Sequence, residues 1–320
     1  MSVDDTPQSP SERKSAIKQR HEQAASEVLP ERRELYIGGQ WVQSASGETF
    51  KTTDPTTGET LAEVQAGTAA DIDRAVEAAW EAYDEIYSGF SAAERQSMLE
   101  AIADRIENKA EEFARLESLD NGKPITEARI DIDLVTDHFR YFAGIARAHE
   151  GRTVDTDDSR HVQTIEEPYG VVGQIIPWNF PLLMAAWKLG PALSAGNAVV
   201  IKPAEETPLS ILKLMEEADD VIPDGVVNVV TGFGPDAGEP LSNHDGIRKL
   251  AFTGSTEIGS KVMKSAADNI TDITLELGGK SPLVVFPDAD LEQAVQTTIT
   301  AIFFNTGECC CAGSRLFVHE

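Results

Sequence analysis

The sequence predicts an α/β fold built on a parallel sheet. Short β-branched runs alternate with helical stretches from Val171 onward, the residues just after each such run are glycines, hydroxyls and charges, and no apolar run is long enough to span a bilayer. The strands are expected at 171–176, 198–201, 226–230, 250–253 and 273–276, and the helices between them near 182–193, 209–218, 236–243 and 257–269. Crossovers of that kind place helices on both faces of the sheet.

The first half of the chain is read in order. Residues 1–30 are polar and lack a sustained apolar face, which predicts a mobile arm with a transient helix over 11–28. The short apolar runs around Gly38-Gly39, from Leu35 to Val42, signal a hairpin. Asp54-Pro55-Thr56-Thr57-Gly58 is a turn before a short strand at 61–64. Helices follow over 70–87, from Ser91, and over 125–148. Ser91 with Glu94 makes a capping box, and Met98, Ile102 and Ile106 keep helical spacing after it. The run Asn121-Gly122-Lys123-Pro124 stops the preceding helix. Gly151 to Tyr169 reads as a mostly polar hairpin that leaves the main body, an arm suited to a partner subunit.

Composition bounds the partners. The chain has 320 residues, 41% hydrophobic and 25% charged, which excludes a disordered or collagen-like protein and gives room for about two domains. With 27 Lys+Arg against 54 Asp+Glu the formal charge is −27, which argues against nucleic acid or an anionic membrane surface as the main partner. The acids are scattered, as on a surface that salt would screen, and a halophilic, cytoplasmic setting is the expectation. The start of the chain has no signal-peptide pattern. The cysteines, Cys309, Cys310 and Cys311, are contiguous, so they form neither a disulfide framework nor a zinc spacing, and no metal is expected.

A parallel sheet binds ligands at the carboxyl ends of its strands. Gly232-x-Gly234-x-x-x-Gly238 has one residue too many for the dinucleotide fingerprint, and such glycines often only permit turns. Gly254-Ser255-Thr256 before a helix is better suited to a phosphate. Lys202 at a strand end either lies on the surface or donates to ribose hydroxyls. Glu205 offers acceptors to the same ribose and would repel a 2′-phosphate, favouring NAD over NADP. Cys310 is the one group suited to covalent catalysis, against the commoner fate of cysteines as small buried hydrophobes. If its segment is extended, Cys309 and Cys311 point one way and Cys310 the other. Asn179 is either an oxyanion donor or a turn asparagine, and Glu276 either a general base or a salt-bridged strand-end glutamate.

Taken together, PWNFP (177–181), KPAEETP (202–208), GFGPDAG (232–238), FTGSTEIG (252–259), LELGGKSP (275–282) and FNTGECCCAGSR (304–315) resemble the aldehyde dehydrogenase family in order and spacing, over roughly residues 33–320. The resemblance implies Cys310 as nucleophile, Glu276 as general base, and Asn179 with the nucleophile's own N–H as oxyanion hole. It implies NAD held by positions Ile175, Trp178, Lys202, Glu205, Gly234, Gly238, Phe252, Ser255, Ile258 and Leu277. The implied reaction oxidises an aldehyde to a carboxylate through a cysteine thiohemiacetal and thioester, and Glu276 favours the hydrolytic over the CoA-acylating branch. The implied architecture is a Rossmann-like NAD-binding domain (31–150 and 168–277), an oligomerisation hairpin (151–167) in a dimer or tetramer, and the start of a catalytic α/β domain (278–320). Family chains continue well past the matching cysteine, through a Glu-x-Phe that holds the nicotinamide ribose. On that expectation the 320-residue chain is C-terminally truncated and inactive alone, and a nucleotide-binding remnant or an interaction module are the rival readings.

Overall fold

The computed structural model describes residues 9–157 and 159–320. Its strands are β1 (Leu35–Ile37), β2 (Gln40–Val42), β3 (Thr49–Thr53), β4 (Thr60–Gln65), β5 (Arg152–Val154), β6 (Val162–Thr164), β7 (Val171–Ile175), β8 (Ala198–Lys202), β9 (Val227–Val229), β10 (Lys249–Gly254), β11 (Asp272–Leu277), β12 (Pro282–Val285) and β13 (Arg315–Val318). Its helices are α1 (Pro10–Val28), α2 (Ala69–Glu85), α3 (Ala92–Asn108), α4 (Ala110–Asn121), α5 (Ile125–Ile145), α6 (Pro181–Ser194), α7 (Leu209–Ala218), α8 (Glu239–Asn243), α9 (Thr256–Asn269) and α10 (Leu291–Phe303).

The central sheet has seven strands in the order β11-β10-β7-β8-β9-β1-β2. From β11 to β9 all pairings are parallel, and the β1–β2 hairpin closes the far side antiparallel to β9. The parallel α/β expectation is borne out, and the reason is visible in the strands. β8 is buried along its whole length, and alternate residues face opposite layers. Val171, Ala198, Val200 and Val230 pack with Ile72, Val76 and Ala79 of α2 and Leu241 of α8. Val172, Val199, Ile201, Val227 and Val229 pack on the other face, with core residues of α3 to α7. The chain moves outward from β7 through β8 to β9, then returns across β7 to build β10 and β11. The strand order therefore reverses at β7, and a crevice opens between the carboxyl ends of β8, β7 and β10.

The amino-terminal arm is a correction. Residues 10–28 form a regular helix closed by a Ser9–Glu12 capping box with proline in its first turn. Its apolar periodicity is weak because polar contacts hold much of it: Lys18 Nζ to Glu59 (2.6 Å), His21 Nδ1 to the buried Asp54 (2.6 Å), and Arg115 to Glu27 (2.8 Å). Val28 at its end enters the main core. Residues 1–8 of the expected arm lie outside the described residues. The capping box at Ser91 is present, and Met98, Ile102 and Ile106 are buried as their spacing predicts. β5 and β6 pair antiparallel as an exposed hairpin.

From β11 onward burial falls away, the residues of that edge strand being alternately exposed and half-buried. β12 and β13 pair in parallel with α10 between them in sequence, and among residues 278–320 only Asn305 is buried. Phe286, Leu291 and Phe303 are exposed. A two-stranded sheet with one helix buries too little to be stable by itself. Amides of β12, β13 and α10 are therefore expected to exchange with deuterium orders of magnitude faster than those of β7 and β8 in this chain. Mutation tests the same contrast. Ile201→Ala should cost about 2–5 kcal/mol in urea unfolding, whereas Leu291→Ala should stay within about 0.5 kcal/mol.

Candidate active site at the reversal of strand order

The sheet register lines up the cofactor candidates. Ile175 at the end of β7 lies opposite Lys202 of β8 on one side and Phe252 of β10 on the other. One step further, Thr253 is opposite Glu276, and Gly254 opposite Leu277. Lys202 is buried, and its ammonium donates to the Pro203 carbonyl (2.8 Å) and to Glu205 Oε2 (2.9 Å). With three hydrogens on Nζ, one remains to reach outward. Glu205 is only half-buried and pairs with that ammonium.

The glycine-bearing loops divide into two kinds. Gly234–Gly238 is a wide helical turn after β9, in which Glu239 N–H donates to Gly234 O. A Cβ at Gly238 would meet Lys202 Cδ at 3.7 Å, whereas Gly234 faces open space. Ser255 caps α9, its hydroxyl accepting from Ile258 N–H at 3.2 Å, which leaves the N–H groups of Thr256 and Glu257 free as the helix begins. Gly259 has another task. A Cβ there would stand 2.6 Å from Leu277 Cδ2, so this glycine lets α9 close onto β11. Trp178 and Ile258 are exposed apolar walls at the strand ends.

The candidate catalytic residues meet through backbone. Asn179 Nδ2 donates to the Glu308 carbonyl (2.6 Å), two residues before Cys310, and Gly279 N–H, three residues after Glu276, donates to the Cys310 carbonyl (3.2 Å). The loop after β7, the end of edge strand β11 and the cysteine loop thus converge. Among the described residues no hydrogen bond joins the side chains of Cys310, Glu276 and Asn179 to one another. Glu276 is exposed, and so is Cys310.

The cysteine segment is a turn, not the extended strand that would alternate its side chains. Ala312 N–H returns to the Cys309 carbonyl (3.1 Å), and Cys309 alone tucks inward, its Sγ 3.8 Å from the Phe304 carbonyl, while both Cys310 and Cys311 are exposed. Just before it Asn305 and Thr306 hold φ of 51° and 55°. This left-handed backbone is uncommon for a β-branched threonine, and strain of this kind concentrates at functional loops.

Three side chains escaped the sequence reading. Lys188 of α6 donates to Thr253 Oγ1 (2.6 Å), across the sheet from Glu276, and burial pushes its pKa down to about 8 against the pull of that carboxylate. A single lysine inside the apolar run 181–194 was its signal. Lys123 and Asn305 both donate to the Asn179 carbonyl (3.1 and 2.8 Å). Lys123 read only as part of a helix stop, and Asn305 only as part of the motif at 304–315.

Burial, and then the neighbouring Cys311, push the Cys310 thiol up, and burial pushes Cys309 further, to about 11. A raised thiol pKa means less thiolate at any given pH. Iodoacetamide should therefore alkylate Cys310 at a rate that climbs with pH and reaches half its plateau above the ordinary thiol range, with Cys309 following at still higher pH. Mass spectrometry of the modified peptide checks the order, and a half-plateau near neutral pH would contradict it.

The model of the aldehyde dehydrogenase family matches residues 41–320. The mitochondrial benzaldehyde dehydrogenase of Antirrhinum majus is 53% identical over 292 residues, which are 89% of this chain and 54% of that protein. The acetaldehyde dehydrogenase of Pseudomonas aeruginosa is 51% identical over 292 residues, 89% of this chain and 57% of that one. A structure of an aldehyde dehydrogenase from Bacillus cereus in complex with NAD+ superposes with a TM-score of 0.90 at 45% identity, covering 92% of this chain and 61% of that chain. The chain thus spans little more than half the length of the curated relatives it matches. With that match running from β2 to its last residue, the chain belongs to the aldehyde dehydrogenase family.

Proposed function

We propose that the protein oxidises aldehydes to carboxylates with NAD, through Cys310. The observation that carries the reading is the meeting of the Asn179 loop, the end of β11 and the cysteine turn beside the crevice where the strand order reverses. The crevice suits a dinucleotide. The free N–H groups at the start of α9 suit the pyrophosphate, Lys202 and Glu205 suit ribose hydroxyls, and Trp178 and Ile258 offer apolar walls to a ring. Ile175, Phe252 and Leu277 floor it, and the Gly234–Gly238 turn lets the backbone approach. When bound, NAD supplies the hydride acceptor.

The chain's own residues do the rest. The Cys310 thiol gives its proton to solvent, to which it is exposed, and the thiolate forms a C–S bond to the aldehyde carbon as the carbonyl π electron pair moves to oxygen. Asn179 faces that oxygen with its second N–H, the first being engaged by Glu308. After oxidation a thioester remains on Cys310. Glu276, exposed at the strand end, takes a proton from water, the hydroxide attacks, and the thiol leaves with the carboxylate as product. Residues 31–150 and 168–277 form the cofactor domain in this reading, and 278–320 open the catalytic one. The exposed β5–β6 hairpin serves as the contact to another copy.

In a chain of its relatives' full length, Cys310→Ala should abolish NADH production while Cys309→Ala keeps most of it. Glu276→Gln should leave the first-turnover burst of NADH and slow steady-state turnover roughly 100-fold. NAD should be preferred over NADP in the same assay, because Glu205 beside Lys202 would repel a 2′-phosphate. Full activity of Cys310→Ala would overturn the assignment, and loss of the burst in Glu276→Gln would move that residue to thiol activation.

A further inference from the structure

Lys123 is buried to 1% exposure in the connection just before α5, in a place where an ammonium is costly. Asp131 Oδ2 accepts from it at 2.5 Å, Glu117 Oε2 lies 3.9 Å away, and the ring of Phe180 faces it at 4.5 Å. Both carboxylates are buried as well, and burial pushes their pKa values up while Lys123 pulls them down. Asp131 alone would account for a simple ion pair. Yet Nζ also donates to the Asn179 carbonyl at 3.1 Å, and that carbonyl receives a second hydrogen bond from Asn305 Nδ2 at 2.8 Å. Asn305 is in turn anchored through its own N–H, which donates to Glu127 Oε2 at 2.6 Å. At the other end of the same residue, the Asn179 side chain is tied to Glu308 O. Asn179 is therefore held at its carbonyl from the connection between α4 and α5 and from the cysteine loop, and at its amide from the cysteine loop alone.

We infer that Lys123 is a positioning residue for the oxyanion site. Its ammonium fixes the Asn179 peptide so that the second side-chain N–H points at a developing alkoxide on the carbon attached to Cys310. The inference rests on the proposed role of Asn179. A neutral side chain at 123 would free the carbonyl, leaving Asn305 as its only anchor. A loosened amide loses the alignment that makes a preorganised donor effective. Phe180, next in the chain, lies under the same ammonium and stacks on Phe304 with centroids 6.4 Å apart, so one side chain ties the loop after β7 to the segment before the cysteines.

The test uses the chain as it stands and needs no turnover. A short aliphatic aldehyde labelled with 13C at its carbonyl adds to Cys310 as a thiohemiacetal. The C–S bond forms, the carbonyl π bond opens, and the thiol proton ends on the oxygen, so the adduct is read by its sp3 carbon resonance. Asn179→Ala should weaken adduct formation roughly tenfold, the worth of one well-placed hydrogen bond. Lys123→Met should weaken it to a similar extent, and the two changes together no more than Asn179→Ala alone, the coupling expected of residues acting as a unit. Because Lys123→Met leaves both Asp131 and Glu117 uncompensated, Lys123→Met with Asp131→Leu and Glu117→Gln removes all three charges, keeps an acceptor for the Leu182 N–H, and leaves the fold testable by circular dichroism. NAD affinity should be unchanged in every folded variant, which separates positioning from general disruption. Full adduct stability in the folded charge-free variant, or losses that multiply with those of Asn179→Ala, would overturn the role of Lys123 and leave that of Asn179 intact. An Asn179→Ala chain with unaltered adduct would remove the oxyanion reading itself, and the role of Lys123 with it.

Discussion

Burial of both faces of β7 and β8 is the constraint from which the rest follows. Val171, Val172, Val199, Val200 and Ile201 have apolar partners above and below, so neither strand can slip by one residue without turning its core side chains into the wrong layer. That fixed register sets Ile175, Phe252 and Lys202 side by side. It also makes the loops leave the sheet at one end, where backbone groups have no ladder partner and ligands can take their place.

The polar layer around this core is used with similar economy of position. Glu117 accepts the Leu182 N–H at the start of α6, and Asp120 accepts the Leu209 N–H at the start of α7. Both carboxyls are buried and their pKa values raised by desolvation, Asp120 strongly. Each satisfies a helix-terminal donor and opposes the partial positive charge of that terminus. Helix α6 in turn carries Lys188 to the hydroxyl of Thr253, whose register partner on the neighbouring strand is Glu276. The same elements that build the core thus deliver charge to the crevice, and a defect in α4 would be felt at the strand ends.

A contrast in packing divides the molecule at β11, whose residues are alternately exposed and half-buried. Before it, helices cover both faces of the sheet. After it, β12, β13 and α10 present Val284, Leu291, Phe303 and Phe317 to the outside. The cysteine turn belongs to this thinly packed part, yet Asn305 and Glu308 pin it to the dense part by hydrogen bonds with Asn179 and Glu127. Specific polar links, more than apolar burial, locate Cys310 relative to the sheet.

The order of strands and helices from Val171 onward was legible in the sequence because β-branched runs and turn residues report local preference directly. The capping box at Ser91 and the glycine–serine start of α9 were legible for the same reason. The motifs around Asn179, Glu276 and Cys310 identified the family and nominated the site residues. The docking of α1 was not legible, since its contacts to Asp54, Glu59 and Arg115 lie far away along the chain and leave no apolar period. Nor was the cysteine segment, where hydrogen bonds from Gly279 and within the loop impose a turn that side-chain alternation cannot announce. Lys123 looked like part of a helix stop, and only folding brings Asp131, Phe180 and the Asn179 carbonyl around its ammonium. Sequence by itself determined which segments become strands and helices and which family they belong to, because those follow from local chemistry and motif order. Tertiary structure decided which charges are buried together and what holds the site in place, because such partners are chosen by distance in space and not along the chain.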